Sequence, residues 1–407
     1  MLDSSFEDLL STCTTSVERR DPLDIPSYMA SQNLFPKFYF KCPKTGEERA
    51  CLGTLITLSA PPILSKKTDP HLCFYGSIFF STPKRQENIW QDFFPSHFFL
   101  PEIEIRQSPL KTEFITHSLQ GSKSSPLEKA LPLPSCTQLK EGAHIPSKET
   151  WTLSLEKVQR AIFGKKIDKV VLARRSTFLI DPLEHPLTHL QKLIHTCPST
   201  STFALQMAPS SLFLGSTPEK LYSRKERVLS TESIAGTRKR GQEPLEDLSL
   251  ENELLVSLKD QAEVHFVKDF LSKNLSALCE EILVDKEVSI IKTDTVQHLY
   301  YGFRAHIKEG VTDADLLAAL HPTPAVNGEP KEIALQLIEE LEEFDRGLYA
   351  GTIGWISSSE AFFAVAIRSA LIQGGSLHAF AGTGLVEGSD PHLEWIELQH
   401  KISHWTS

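Results

Sequence analysis

The feature that most constrains the fold of this chain is the way in which strand-forming segments occur in blocks. Residues 1–110 contain several segments rich in aromatic and β-branched residues, separated by turn-forming residues. These predicted strands cover residues 38–41, 52–58, 73–81 and 98–105. Helical patterns occur mainly later in the chain and do not alternate strictly with strands. Strict alternation would be needed for a parallel doubly wound sheet, so the pattern predicts an α+β fold.

Composition and net charge limit the kinds of molecule that this protein is expected to bind. The chain has 407 residues and a formal net charge of −10, which argues against nucleic acid or an anionic membrane as the main partner. Its seven cysteines are odd in number and scattered, without a C-x-x-C pair, as expected for reduced thiols and not for a disulfide framework or a zinc motif. No basic-then-apolar leader and no apolar run of membrane-spanning length is evident. These features predict a soluble, cytoplasmic protein.

The sequence divides into three parts. Residues 1–110 form the strand-rich part, and residues 111–150, rich in Ser, Pro and Lys, are predicted to be a surface connection. Residues 151–407 are denser in strand and helix patterns and would form the catalytic region. The apolar spacing there predicts one long helix over residues 247–281.

The segment 377–401 near the end of the chain is predicted to form a strand, a glycine turn at Gly382 and Gly384, a short strand and a helix. On this helix Glu394, Glu397 and Lys401 are spaced by three and four residues, so they share one face. Such a face could hold a divalent cation together with a carboxylate-bearing ligand. The alternative is a solvated helix face with an ion pair.

Two residues have positions suited to proton transfer. Lys169 opens an apolar strand, where desolvation favours the neutral amine that a general base requires; the alternative is an edge lysine that reaches water. Glu219 follows an apolar strand in the turn GSTPE, where burial could raise the pKa of its carboxyl for work as an acid. The alternative for Glu219 is simple charge complementarity at a helix N-terminus.

Other residues could bind ligands. Glu263 on the long predicted helix is a candidate Mg²⁺ ligand, or else a solvated helix residue. Arg368 lies in the predicted apolar strand AVAIRSALI, where its planar fork suits a carboxylate ligand or a buried structural ion pair. His298 and His321 could donate hydrogen bonds to a ligand, or could be satisfied core histidines.

Several motifs occur in one order: KVVLAR, STPE, AGT, HPTPAVNGEP, RGLYAGTIGW, VAIRSA and AGTGLVEGSDPHLEW with a downstream lysine. In this order they resemble the chorismate-utilising enzymes, and most closely the isochorismate synthases. The resemblance covers about residues 151–401 and is looser over residues 1–110. It implies one α+β unit of two stacked, mainly antiparallel sheets with helices outside, completed by the N-terminal strands. The site would lie in a cleft at the edge of the sheets.

The resemblance also implies roles for individual residues. Lys169 would activate water for attack at C2 of chorismate, and Glu219 would protonate the departing C4 hydroxyl. Mg²⁺ would be held by Glu263 and Glu397, with Glu394 in support. The remaining positions would bind the substrate: Arg368, Lys401, Tyr349 and the backbone near Gly384 at the enolpyruvyl carboxylate, and Gly236, Thr237 and His298 as the wall of the site.

Related activities remain as alternatives. Ala235 argues against aminodeoxychorismate synthase, which has a nucleophilic lysine at this position, and Lys169 argues against anthranilate synthase, which uses ammonia. Salicylate synthase shares the acid, base and metal residues and also eliminates pyruvate; the HPTPAV motif favours the synthase without that step. A catalytically silent binding protein on the same scaffold would require the loss of one of these groups. The product could serve menaquinone or siderophore biosynthesis, and no glutamine amidotransferase partner is expected.

Overall fold

The computed structural model describes residues 4–85, 88–95, 97–119, 127–181, 183–292 and 296–406. Within these residues the strands form two large sheets in which every pair is antiparallel. The predicted α+β class and its mainly antiparallel sheets are therefore confirmed.

The first sheet contains twelve described strands. They are β1 Thr14–Arg20, β2 Lys37–Lys41, β3 Glu48–Leu52, β7 Ile103–Gln107, β8 Thr112–Ser118, β9 Lys140–Ile145, β10 Lys169–Leu179, β11 Ser201–Ala208, β12 Ser211–Thr217, β18 Gly328–Glu329, β21 Ser369–Gln373 and β22 Ser376–Leu385. Their spatial order is β1-β8-β7-β3-β2-β11-β12-β21-β22-β10-β18, with β9 also paired to β10.

The second sheet contains ten described strands. They are β4 Ile56–Leu58, β5 Phe74–Ile78, β6 Phe98–Leu100, β13 Lys220–Lys225, β14 Val228–Lys239, β15 Cys279–Val284, β16 Ser289–Lys292, β17 Val296–Ile307, β19 Thr352–Ile356 and β20 Glu360–Val365. Their order is β15-β17-β14-β13-β20-β19-β5-β6-β4, with β16 also paired to β17.

The helices connect the strands and carry several of the predicted site residues. They are α1 Ser4–Ser11, α2 Ile25–Ser31, α3 Lys148–Phe163, α4 Leu187–Thr196, α5 Pro244–Val256, α6 Leu258–Leu278, α7 Asp313–Leu320, α8 Lys331–Leu341 and α9 Pro391–Thr406, with one 3₁₀ turn at Asn88–Trp90. None of the helices in the described residues is both long and apolar enough to cross a membrane.

Aromatic side chains from the two sheets meet in one large core. The rings of Phe38 and Tyr75 have centroids 4.9 Å apart, and those of Phe40 and Trp355 are 5.2 Å apart. Phe38 and Phe40 lie on β2 of the first sheet, whereas Tyr75 and Trp355 lie on β5 and β19 of the second. Contacts at these separations are favourable beyond the burial of apolar area. The core therefore joins the sheets face to face.

Three apolar segments cross from one sheet to the other. The segments 52–58 and 98–105, each predicted as one strand, are β3 with β4 and β6 with β7, and the two members of each pair lie in different sheets. The segment around Arg368 is likewise divided between β20 and β21. The prediction of single strands was wrong because apolar residues occur on both sides of each crossing, so the sequence pattern continues through it.

The segment 111–150 also differs from the predicted surface connection. It contains β8, whose alternate residues are buried and which pairs with both β1 and β7, and it contains β9 at the edge of β10. The boundary at residue 110 therefore falls inside a hairpin. The surrounding Ser, Pro and Lys residues concealed the alternation in β8, and residues 120–126 lie outside the described part of the chain.

Two local predictions near the site were wrong. The long helix predicted over residues 247–281 is two helices, because Ser257 follows α5 and its hydroxyl accepts a hydrogen bond from the Asp260 N–H at 3.3 Å, capping α6. The predicted glycine turn at Gly382 and Gly384 is absent, since β22 runs without interruption through both residues and pairs with β10.

Candidate active site

Lys169 and Glu263 approach each other beside Gly384. Lys169 is the first residue of β10 and is 4% exposed, and Glu263 lies on α6. A Cβ atom placed on Gly384 would lie 2.8 Å from Lys169 Cε and 4.0 Å from Glu263 Oε1. Only glycine leaves room for the lysine at this point of β22. The structure thus brings the candidate base next to a candidate metal ligand through the close pairing of β10 and β22.

Glu219 lies between β12 and β13, and hydrogen bonds to its backbone N–H and carbonyl fix its position. Its N–H donates to Thr217 Oγ1 at 3.1 Å, and its carbonyl accepts from the Val365 N–H at 3.0 Å. Burial raises the pKa of Glu219 to about 7, and the negative charge of Glu232 adds to the rise. A hydrogen bond from Thr323 Oγ1, at 3.4 Å, and the nearby charge of Lys169 oppose it. A carboxyl with this pKa is partly protonated at neutral pH and can act as an acid.

Replacement of Glu219 by Gln should change how stability depends on pH. The pKa of Glu219 in the folded protein, about 7, lies above its ordinary value of 4.5, so its contribution to stability is full below about pH 4.5. That contribution is lost as the pH rises through about 7. The shift corresponds to about 3 kcal/mol, and we expect about 2 kcal/mol because the residue remains partly exposed.

Urea unfolding of both proteins between about pH 5 and pH 8 measures this effect. The free energy of unfolding of Glu219→Gln should gain about 2 kcal/mol relative to the wild type toward the higher pH. A difference that stays constant across the range would contradict a raised pKa at this carboxyl.

The predicted face of α9 is formed and is anchored to β22 through Thr383. Thr383 Oγ1 lies within hydrogen-bond distance of Glu394 Oε2 and 3.2 Å from Glu397 Oε1. Lys401 Nζ lies 2.7 Å from Glu397 Oε1 and donates to the Gly382 carbonyl at 2.8 Å. Burial alone would raise the pKa of Glu397, but Lys401 and the Thr383 hydroxyl lower it overall. Glu397 is therefore a carboxylate at neutral pH.

Gly236, Thr237 and His298, the predicted wall of the site, contact one another. His298 Nδ1 lies 2.9 Å from the Gly236 carbonyl and 3.1 Å from Thr237 Oγ1. Burial lowers the pKa of His298 to about 4, and the charges of Arg368 and Lys401 lower it further against the opposing Gly236 carbonyl. His298 is thus neutral at pH 7, and its buried Nε2 has no hydrogen-bond partner in the described residues. This nitrogen is available to a ligand.

Gly236 is part of a bulge in β14 and not of a free turn. The pairing of β14 with β17 shifts register between Ala235 and Arg238, and Gly236 has φ +66°. A Cβ atom there would also lie 2.8 Å from Asp260 Cβ on α6. Bulges of this kind re-aim side chains next to binding sites. The glycine therefore allows α6, which carries Glu263, to pack closely against this wall.

Arg368 lies at the crossing between β20 and β21, with φ +49°. This left-handed conformation is unusual for a residue with a side chain and occurs preferentially at functional sites. Within the described ranges, no acidic group lies at ion-pair distance from the guanidinium, so the alternative of a structural ion pair finds no support there. Burial lowers the pKa of Arg368, but the side chain remains charged. An anionic ligand would satisfy it.

Tyr349, also predicted to bind the substrate, packs against β22. Its ring stacks on Phe380 of β22 with centroids 5.3 Å apart, and its hydroxyl lies 2.7 Å from the position of a Cβ on Gly382. Burial raises the pKa of Tyr349, so the hydroxyl keeps its proton and can donate a hydrogen bond. Gly382 and Gly384 are both needed because the tyrosine and the lysine approach the same strand.

The residues fit a magnesium ion in their chemistry. Glu263 from α6 and Glu394 and Glu397 from α9 offer the carboxylate oxygens that Mg²⁺ prefers. Their oxygens do not all converge to within 4.8 Å of one another in the described residues. Mg²⁺ usually takes one or two protein carboxylates and keeps several waters, so such convergence is not required.

Three contributors to the site were missed in the sequence. Thr383 and Thr323 lie inside the motifs AGTG and HPTP, but no local pattern shows that they contact carboxylates from α9 and from the β12–β13 turn. Glu232, in ESIAGT, is 9% exposed and acts on Glu219 only through space. The motifs that contain these residues were the signal available in the sequence. The contacts themselves could not be predicted, because each one joins residues that are distant in sequence.

Comparison with known proteins identifies the family of this chain. Residues 61–407 match the family model described as chorismate binding enzyme. The chain is 30% identical to the isochorismate synthase of Haemophilus influenzae over 94% of this chain and 88% of that protein. It is 33% identical to a chloroplastic isochorismate synthase of Arabidopsis thaliana over 84% of this chain, but it spans only 65% of that plant protein.

A solved structure shows the same likeness. The menaquinone-specific isochorismate synthase of Escherichia coli superimposes with a TM-score of 0.84 and 26% identity, covering 99% of this chain and 98% of that one. The chain therefore belongs to the chorismate-binding enzyme family. Within this family, the relatives matched over most of their own length include the isochorismate synthases of Haemophilus influenzae and Escherichia coli, with 88% and 90% of each covered.

Proposed function

We propose that this protein is an isochorismate synthase, an isomerase that converts chorismate reversibly to isochorismate with Mg²⁺ as its cofactor. Water would be added at C2 of the ring and the hydroxyl at C4 would be lost. The observation that carries this proposal is that the buried amine of Lys169 lies close enough for its charge to act on Glu219, a carboxyl whose pKa is about 7. Addition of water and loss of hydroxide require one base and one acid in the same site.

Proton transfer would be divided between Lys169 and Glu219. Lys169 begins β10 of the first sheet and would take a proton from the attacking water. Glu219 precedes β13 of the second sheet, and in its protonated form it would donate to the departing C4 oxygen. Glu219 lies where the chain passes from β12 of the first sheet to β13 of the second, so the acid and the base come from different strands.

Substrate binding would rest on cations concentrated in a protein of net charge −10. Arg368 is charged and unpaired in the described residues, and it suits a carboxylate. Lys401 and the protonated Tyr349 hydroxyl lie beside the same strand, at Gly382. These three groups would hold the enolpyruvyl carboxylate, with the neutral His298 and the Gly236–Thr237 bulge forming the opposite wall. Local positive charge is what a dianion requires in an acidic protein.

The metal would be held by Glu263 and Glu397, with Glu394 in support through the shared Thr383 hydroxyl. When bound there, Mg²⁺ would supply positive charge to the ring carboxylate of the substrate. Lys401, which pairs with Glu397 in the structure, is oriented by the Gly382 carbonyl as well and so need not depend on Glu397 for its position.

The decisive experiment resolves the products formed from chorismate. Purified protein incubated with chorismate and Mg²⁺ should yield a steady mixture of chorismate and isochorismate, separable by chromatography. Salicylate with pyruvate would instead identify a salicylate synthase. Binding of chorismate without any turnover would identify a silent scaffold and contradict the proposal.

Two further expectations follow from the same chemistry. Because water is the nucleophile, we expect activity from this chain alone, without a glutamine amidotransferase. All seven cysteines are unpaired, which supports action in the reducing cytoplasm.

A further inference from the structure

A second cluster of ligand-type side chains lies outside the active site. It consists of Cys136, in the segment before β9, with Glu184 and His189 at the start of α4. One ligand atom from each residue lies within 4.8 Å of the other two, and no other such group of three occurs in the described residues. None of the proposed catalytic steps uses these residues, so the cluster needs a separate explanation.

The carboxylate of Glu184 is oriented from one side. Its Oε2 accepts a hydrogen bond from the Thr137 N–H at 3.1 Å and another from the Thr137 hydroxyl. Its Oε1 is thereby directed at His189, whose Nε2 lies 3.2 Å away. Ligating carboxylates in metal sites are commonly fixed by hydrogen bonds of this type.

The facing ligand atoms are buried and unsatisfied. The Glu184 side chain is 2% exposed and that of His189 is 3% exposed. Glu184 Oε1 and His189 Nε2 are each without a hydrogen-bond partner in the described residues, since their 3.2 Å separation lacks hydrogen-bond alignment. Buried polar atoms without a hydrogen-bond partner are rare in native proteins, and a bound ion is one way to satisfy them. Cys136 Sγ lies 3.8 Å from the other ring nitrogen, Nδ1, on the open side of the cluster.

We propose that Cys136, Glu184 and His189 bind a zinc ion, with water as the fourth ligand. A thiolate, an imidazole and a carboxylate together suit Zn²⁺, whereas Mg²⁺ and Ca²⁺ take oxygen ligands. Tetrahedral zinc sites place their ligand atoms roughly 3.3–3.8 Å apart. Binding therefore requires ligand atoms that now lie within 4.8 Å of one another to close by up to about 1.5 Å, and the imidazole to present one nitrogen to the ion.

Metal binding at this cluster would require the Cys136 thiol to lose its proton. Burial raises the pKa of the Cys136 thiol to about 12, and the Glu184 carboxylate adds to the rise while Lys192 opposes it. Without a metal the thiol therefore keeps its proton, and a bound cation would displace it. The resulting thiolate and carboxylate would neutralise the divalent ion.

The site would tie the segment before β9 to the start of α4. Cys136 is separated from Glu184 by β9, α3 and β10, so the three residues form no sequence motif. The scattered cysteines predicted no zinc site for this reason. The competing explanation is a metal-free chain of contacts from Cys136 through His189 to Glu184.

Cobalt substitution distinguishes the two explanations, because a cobalt–thiolate bond gives a strong near-ultraviolet absorption that carboxylates alone do not. The metal-free full-length protein, with excess Mg²⁺ present to occupy the active site, is titrated with Co²⁺. The wild type and Cys197→Ser should each show this band at one equivalent of Co²⁺. Cys136→Ser should lose it. Cys197 is a matched control because it is a partly buried, unpaired cysteine at the other end of α4.

Measurements of the melting temperature and of the amount of bound metal complete the test. Zn²⁺ should raise the Tm of the wild type and of Cys197→Ser by a few degrees and leave that of Cys136→Ser unchanged. Cys136→Ser should still turn over chorismate, which shows that the variant is folded. If the wild type binds no more Co²⁺ or Zn²⁺ than Cys136→Ser, the cluster is the metal-free chain of contacts and the proposal is wrong.

Discussion

Lys169→Ala is expected to lower the turnover of chorismate by about 10²–10⁴-fold, the usual contribution of a general base. The lysine is buried at the start of β10, where Gly384 leaves room for its side chain, so no other described amine can take its position. Removal of the side chain leaves a cavity beside two backbone strands but breaks no ion pair within the described residues. The variant should therefore keep its fold, as measured by circular dichroism and Tm.

Glu219→Gln should lose activity to a similar extent, because the amide retains the shape of the acid but has no proton to donate to the leaving hydroxyl. Lys166→Ala is the matched control for the lysine, since it removes an exposed amine three residues earlier. The measurement is kcat and KM for chorismate, with the product identified by chromatography. Near-normal kcat in Lys169→Ala or Glu219→Gln would remove that residue from the proposed acid–base pair.

Removal of Mg²⁺ with EDTA is expected to abolish turnover, and added Mg²⁺ should restore it. The expectation rests on the carboxylates of Glu263 and Glu397, which reach the space beside Gly384 and Thr383 from two different helices. Glu263→Gln and Glu397→Gln should each raise the Mg²⁺ concentration for half-maximal activity by at least about tenfold, since each removes a negative ligand.

Glu394→Gln should have a smaller effect, because Glu394 is buried against the Thr383 hydroxyl and acts mainly on the position of Glu397. Asp269→Asn, an exposed acid on α6, is the control for general charge effects. Isothermal titration with Mg²⁺ gives a readout independent of activity. Full activity in EDTA, or unchanged Mg²⁺ affinity in both ligand variants, would contradict the metal assignment.

The sequence was most informative where a motif carried its own chemistry. The resemblance placed Lys169, Glu219, Glu263 and Arg368 in one site, and the structure brings Lys169 and Glu263 together beside Gly384. The roles of these residues remain predictions until the variants are measured. The spacing of Glu394, Glu397 and Lys401 correctly predicted one helix face, because the helical period alone determines it.

The same patterns failed where the chain changes sheets. Arg368 was assigned to a continuous apolar strand, but it lies at a crossing with positive φ, and the strands on either side belong to different sheets. Gly382 and Gly384 were assigned to a turn, but they are strand residues made necessary by Tyr349 and Lys169. A glycine gives the same sequence signal in a turn and in a strand, because its missing side chain permits both a turn and the close approach of another group.

By itself the sequence determined the α+β class and the helix face that carries Glu394, Glu397 and Lys401, because these depend on local periodicity. Only the tertiary structure decided the raised pKa of Glu219 and the contacts of the Thr383 hydroxyl with Glu394 and Glu397. It also decided that buried atoms of Glu184 and His189 have no hydrogen-bond partner in the described residues. Each of these depends on desolvation and on contacts between residues far apart in the chain. Burial and distance through space arise from the packing of the two sheets, and no local pattern encodes them.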